Sequence, residues 1–268
     1  MESRKSQFYI TTSWDDGHPL DLRMAELLDK YGLPATFYVP LVSEYPLLTQ
    51  SEIRELGNAV EIGAHTITHC DLSQLEDAAA RSEIVGCKDQ LEHIIGAPCT
   101  SFCFPYGHFR RKHLKYLSEA GYQTVRTVEL MSTEGPLMRD GVWILATTVQ
   151  ATPSTFAVYG RNAAKRLRFA NLLRSLRYGI SDWVKVTEAL LVDMQKHGGV
   201  FHLWGHSWEV DECAQWGNVE SAFALLAQFK QSAVFLRNCE FASLPDFSKP
   251  KRKIASISKS ADLERELP

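Results

Sequence analysis

"FYITTSWDDG", residues 8–17, decides how the rest of the chain is read. Its first seven residues, 8–14, are rich in β-branched and aromatic side chains and read as a buried strand. Asp15 and Asp16 follow side by side. Neighbouring residues on a strand point to opposite faces, so the pair cannot serve one face alone. After them "LDLRMAELLDKYG" (20–32) places Leu20, Met24, Leu27, Leu28 and Tyr31 at helical spacing, and Gly32 reads as the stop.

This strand-then-helix unit recurs. "PATFYVP" (34–40) reads as a strand, "SEIRELG" (51–57) as a short helix and "AVEIGAH" (59–65) as a third strand. Ser73 and Glu76 form a capping-box pattern, from which a long helix is expected to run to about Ile95. "SFCFPYG" (101–107) is a strand running into a turn, followed by a helix over "KHLKYLSEAGY" and a strand near "QTVRTV". Such alternation predicts an α/β protein with a largely parallel sheet. No linker is visible before about residue 245. Residues 1–245 are therefore read as one domain and 246–268, polar and charge-mixed, as a tail.

The totals narrow the function. Hydrophobic residues make up 45% and the net charge is -3, so no global positive field points to nucleic acid. "MESRKSQFYI" has no apolar core of a secretory signal, so the cytoplasm, where thiols stay reduced, is the expected location; the even count of six cysteines leaves a disulfide reading open. "YGRNAAKRLRFANLLRSLRYG" (159–179) stands apart, with six cations and no acid. It is either a surface helix with a basic face or a peripheral contact with a membrane or a lipid-linked substrate.

The residues able to carry chemistry fall at predicted strand ends: Asp15 and Asp16, then His65 and His69 in "HTITH", then "FPYG", then "FHLWGHSWE" (201–209). In parallel α/β folds that end forms the active-site face. Two imidazoles and one carboxylate complete three metal ligands with positions left open. A second carboxylate beside them can act as a base. The bland alternatives are a hydrogen-bonded "HTITH" loop and a surface Asp-Asp-Gly turn.

"SWDDG", "HTITH", "FCFPYG" and a late histidine after an apolar strand, in that order, resemble the polysaccharide deacetylase family. This family shares the nodulation-protein-B homology domain and is also called carbohydrate esterase family 4. The resemblance spans about residues 8–210. It implies a distorted (β/α) barrel of about seven parallel strands and metal-dependent removal of acetyl groups from N-acetylated sugars. It implies Asp15 as the catalytic base. Asp16, His65 and His69 would be ligands of a divalent metal, zinc first among the candidates. Tyr106 lies in the motif whose backbone N–H stabilises the oxyanion. The late histidine would protonate the leaving amine. His206 is favoured over His202 for that role because it lies nearer the strand end.

The chain departs from the family in two places. Cys103 stands where the family often has an arginine that orients the catalytic aspartate, with Arg126 a candidate to replace it. The usual Asp-Trp motif behind the acid histidine is missing, Asp182-Trp183 reading as a helix start after a Ser181 cap. Glu209 would pair with a histidine or sit on the surface, and Trp204 and Trp208 are expected in the core rather than as sugar-stacking faces. The expected substrate is an N-acylated sugar, a precursor or carrier-linked sugar for a surface glycan. The rivals are an enzyme for another C–N amide, such as an N-formyl sugar or an allantoinase-like substrate, and a non-catalytic carbohydrate-binding relative. The oligomeric state is not legible.

Overall fold

Every residue of the first strand, β1 (Phe8–Asp15), is buried in the computed structural model, which describes residues 7–153 and 182–248. β1 lies at the centre because three strands share its two edges. One edge pairs over its whole length with β9 (Gly199–His206), from Phe8 opposite Gly199 to Asp15 opposite His206. The other edge is divided. β2 (Thr36–Val39) takes Ser13–Asp15, and the short β10 (Val234–Phe235) takes Tyr9 and Ile10. A strand covered on both faces has no solvent side, which is why its sequence lacks polar alternation.

The sheet continues through β3 (Glu61–Ala64), β4 (Ser101–Cys103), β5 (Thr124–Arg126), β7 (Val142–Leu145) and β6 (Leu137–Arg139). β8 (Val149–Gln150) lies beyond β9 at the other end. The order is β6-β7-β5-β4-β3-β2-β1-β9-β8, with β10 on β1, so the curled, mostly parallel sheet is a half-barrel. Nine strands lie along this path rather than about seven. Two of the strands are short pieces, β8 on this path and β10 beside it, with two residues each, too few to give a periodic signal. Among the described residues β6 and β7 form the one antiparallel pair, closed at Asp140-Gly141 with φ of 49° and 92°. Two successive positive φ values are what a two-residue turn of this kind needs.

The helices follow the strands much as the periodicity predicts. α1 (Asp21–Lys30) buries Met24 and Leu28. α2 (Gln50–Leu56) starts on a capping box, in which Thr49 accepts from the Glu52 amide and Glu52 accepts from the Thr49 amide. The box expected at Ser73 and Glu76 does not form. Ser73 sits in a single 3-10 turn whose amide donates to Asp71 Oδ1, and α3 (Asp77–Ile95) starts on Glu76 with no side-chain cap. Gly96, at φ 68°, ends α3 in the left-handed conformation that glycine adopts without a Cβ penalty. α4 (Arg111–Glu119) leads to β5, and α5 (Trp183–His197) to β9. The amide of Lys185 is capped by Asp182 itself. α6 (Ser207–Glu212), α7 (Trp216–Ala227) and α8 (Pro245–Ser248) complete the described chain. α8 occupies the first part of the expected tail; the rest of the tail, the basic segment 159–179 and Ser181 lie outside the described residues. No helix among the described residues is long and apolar enough to cross a membrane.

Polar side chains close the barrel at the N-terminal ends of the strands. Glu61 accepts from Thr36 Oγ1, Ser101 Oγ and the Cys239 amide, and Asn238 bridges Thr11 and Tyr38. The opposite ends, where the strands deliver Asp15, His65 and His206, are left to the site.

α4 carries a buried histidine that makes the fold sensitive to acid. His113 Nδ1 accepts from the Arg110 amide, and burial, with Lys112 and Arg110 alongside, pushes its pKa down to about 4. The unfolded chain takes up this proton near the ordinary histidine value of ~6.5. The contribution is therefore complete above that value and is lost as pH falls towards about 4. His113→Gln keeps an acceptor for the Arg110 amide and removes the titration. Between pH 7 and 4 the wild type is expected to lose up to about 3 kcal/mol more stability than this variant. Urea midpoints at both pH values measure it, and equal losses in the two proteins would reject the assignment.

Candidate active site

Four strand ends converge on one rim. β1 ends at Asp15 and turns through Asp16 and Gly17, at φ 81° and 61°. A Cβ on Gly17 would stand 2.8 Å from Val39 Cγ1, so this turn requires glycine on both counts. β3 runs into His65, β4 into Tyr106, and β9 ends at His206, opposite Asp15 in register. Asp16, Thr66, His69 and Tyr106 all have positive φ, from 50° to 81°. Non-glycine residues held there cost of order 1–3 kcal/mol each and cluster at functional sites.

The carboxylate of Asp16 faces both histidines. His65 Nε2 lies 3.5 Å and His69 Nε2 3.1 Å from Asp16 Oδ1, yet neither contact has hydrogen-bond geometry. The reason is clear for His65. Its Nδ1 lies 2.8 Å from the Cys103 carbonyl, which can only accept, so Nδ1 carries the proton and Nε2 presents a lone pair. A lone pair and a carboxylate oxygen then face each other in a buried site with nothing donated between them. A cation between them resolves this, and the donor set of two imidazoles and a carboxylate suits a divalent metal with positions left open. Trp208 Nε1 donates to Oδ2 at 2.9 Å, which leaves Oδ1 turned to the histidines.

Asp15 points elsewhere. Its Oδ2 accepts from Arg126 Nη2, a fully buried guanidinium, while Oδ1 has no partner. Asp15, His65 and Cys103 also lie close enough to form a ligand set, but the Arg126 charge opposes a cation there. The candidate that the sequence offered for orienting Asp15 is thus in contact with it.

His206 and His202 separate cleanly. His206 is partly exposed at the rim, with Nε2 3.8 Å from Asp16 Oδ2 and Nδ1 3.0 Å from Glu209 Oε2. Burial acts to lower its pKa, but the Glu209 bond and the charges of Asp15 and Asp16 leave it raised. Glu209 itself is held by Gln150 Nε2 at 3.0 Å. His202 is fully buried between Ser13 Oγ at 2.8 Å and the Ala146 carbonyl at 3.1 Å, and burial pushes its pKa down to about 3. Tyr106 is 60% exposed beside His69, its hydroxyl 3.4 Å from Nδ1.

Trp204 packs in the core as expected, against Leu130 and Met131. Trp208 does not. α6 begins at Ser207 and swings Trp208 out over Asp16, where its ring stacks on Tyr45 at 5.2 Å and 10°. Nothing in the sequence signals this contact, because the strand pattern ends at His206, two residues before Trp208. Nor does it signal the buried Asp21, which accepts from Ser207 Oγ at 2.5 Å and fastens α1 to the start of α6.

Residues 2–125 match the family model "Polysaccharide deacetylase". Over that part, just under half of its length, the chain is similar to the polysaccharide deacetylase family. The family's members are hydrolases acting on N-acetyl amide bonds, and the matched deacetylase region contains Asp15, Asp16, His65, His69 and Tyr106, though not His206. Solved deacetylase structures extend the likeness over the remaining fold. A polysaccharide-deacetylase-type protein from Mycobacterium smegmatis is 14% identical with a TM-score of 0.66, covering 97% of both chains. The chitin deacetylase of Colletotrichum lindemuthianum is 14% identical with a TM-score of 0.59 over 90% of each chain. A family 4 carbohydrate esterase from Streptomyces lividans, in complex with acetate, is 17% identical with a TM-score of 0.51 over 83% of this chain and 90% of its own. At these identities the likeness is one of fold. No curated protein gives a significant sequence match.

Proposed function

We propose that the protein is a metal-dependent hydrolase that removes the N-acetyl group from an amino sugar. The observation that carries this reading is the buried Asp16 Oδ1 facing the Nε2 atoms of His65 and His69 without a hydrogen bond to either, one residue from a second carboxylate. Asp16, His65 and His69 would hold a divalent cation, zinc by the chemistry of the donors. Bound there, the cation would polarise the acyl oxygen and lower the pKa of water.

The chain's own groups divide the remaining work. Asp15 Oδ1, without a partner, takes the proton of the attacking water. The backbone N–H of Tyr106 stabilises the developing oxyanion. His206, its pKa raised in part by the bond to Glu209, lies beside Asp16 Oδ2, from where Nε2 gives a proton to the leaving amine. Cys103 and the missing Asp-Trp motif would favour a non-catalytic binding relative if those positions had no substitute. Arg126 and Glu209 supply the partners that those positions lack.

The finer substrate we propose is a precursor or carrier-linked sugar; if it carries a phosphate, the six cations in 159–179 would suit it. The test is product release. The metal-loaded protein is expected to liberate acetate from N-acetylglucosamine oligomers or from a phosphate-linked N-acetyl sugar, and chelation is expected to abolish it. Release of formate or ammonia from other amides, with no acetate, would replace the acetyl sugar reading. His65→Ala and His69→Ala are each expected to bring bound metal, measured by elemental analysis, well below one equivalent. Full occupancy in either would remove that residue from the ligand set.

A further inference from the structure

The loop between the two ligand histidines, 66–68, is held from two sides. The Ile67 carbonyl accepts from the Leu41 and Val42 amides at 3.0 and 2.7 Å. From α3, Glu83 Oε2 accepts from the Ile67 amide at 2.8 Å and the Thr68 amide at 2.9 Å, and Oε1 accepts from Thr68 Oγ1 at 3.0 Å. One side chain thus takes three donors of one loop. α3 comes this close because position 86 is glycine: a Cβ there would stand 2.7 Å from Ile67 Cδ1. Glycine inside a helix costs about 1 kcal/mol relative to alanine, and the close approach accounts for it here.

The loop needs this grip. Thr66 and His69 both have positive φ, 67° and 50°, and a non-glycine backbone persists there only when its surroundings over-determine it. His65 has an anchor outside the loop, the Cys103 carbonyl 2.8 Å from Nδ1. His69 is held more loosely, with Nδ1 3.4 Å from the hydroxyl of the exposed Tyr106. Its place opposite Asp16 Oδ1 therefore follows from the conformation of 66–68.

We propose that Glu83 is a positioning residue of the metal centre, which holds the Ile67 and Thr68 amides so that His69 Nε2 is set beside His65 Nε2 and Asp16 Oδ1 before a cation arrives. The inference rests on the reading of Asp16, His65 and His69 as metal ligands. Outer partners of metal ligands contribute roughly 10- to 100-fold in metal affinity. Two other roles make different demands. A group that only stabilised the fold would leave the zinc affinity of the folded protein unchanged. A group that only drew the cation by its charge would be lost with that charge, whereas a grip on two amides needs an acceptor of the right reach.

The experiment measures zinc dissociation constants of the full chain by competition with a chromophoric chelator, and the absorption spectrum of the cobalt-loaded form, with urea midpoints alongside. Glu83→Ala is expected to bind zinc about 10- to 100-fold more weakly and to change the cobalt spectrum. Glu83→Gln loses the charge but keeps an oxygen for both amides, so it is expected to regain most of that affinity and the wild-type spectrum. Glu83→Asp keeps the charge but is one methylene shorter, and is expected to bind zinc more weakly than Glu83→Gln. That comparison decides the matter even where Glu83→Ala does not fold. Wild-type zinc affinity in Glu83→Ala would overturn the proposal, as would Glu83→Asp binding zinc at least as tightly as Glu83→Gln. Wild-type zinc affinity in His69→Ala would instead overturn the ligand set on which it rests.

Discussion

Asp15→Asn is expected to keep its metal and lose about 100- to 10,000-fold in turnover, the range by which general-base catalysis typically contributes. The two adjacent aspartates make this a sharp comparison. Asp16 Oδ1 faces both imidazoles, whereas Asp15 turns to Arg126 and leaves Oδ1 open. Asparagine is nearly isosteric and can still accept from Arg126, but its amide cannot take the proton of a water. Metal content and acetate release on the same preparation decide the matter. If Asp15→Asn is the variant that loses metal while Asp16→Asn retains it, the two roles are reversed.

The second large effect concerns the leaving group. An amine departs badly unless protonated, so His206→Ala is expected to lose about 100- to 10,000-fold on an N-acetyl substrate. An activated acetyl ester needs little protonation of its leaving group and is expected to lose far less. Metal binding is expected to be unchanged, since His206 Nε2 lies 3.8 Å from Asp16 Oδ2, whereas His65 and His69 face Oδ1. Equal losses on ester and amide would argue against the acid role. A selective loss in His202→Ala, absent from His206→Ala, would move the role into the interior, where His202 is already committed to Ser13 and Ala146.

Much of this site was legible before the fold was known, and for a local reason. A parallel strand delivers its last residues to the rim, so Asp15, His65, Tyr106 and His206 could each be placed from the end of one apolar run. The choice between His206 and His202 followed from the same rule, since four residues along a strand separate the rim from the interior. Where the rule failed, a neighbouring element had intervened. The Ser73–Glu76 pattern was a valid capping signature. Asp71, two residues upstream, captured the Ser73 amide in a turn of its own, and the helix began later. Trp208 read as a core residue until α6 began at Ser207 and carried it over Asp16.

The sequence by itself determined the alternation of strands and helices, the order of the motifs and the chemical types brought to the rim. These depend on residues near one another in the chain, where periodicity and turn chemistry act. Tertiary structure decided which partner each of those residues received. Arg126 meets Asp15 across 111 positions, Trp208 meets Asp16 across 192, and Ser207 meets Asp21 across 186. Contacts of that span leave no periodic trace. They exist because strand register sets β5 beside β4 and β9 beside β1, and register is fixed only when the whole sheet buries its faces together.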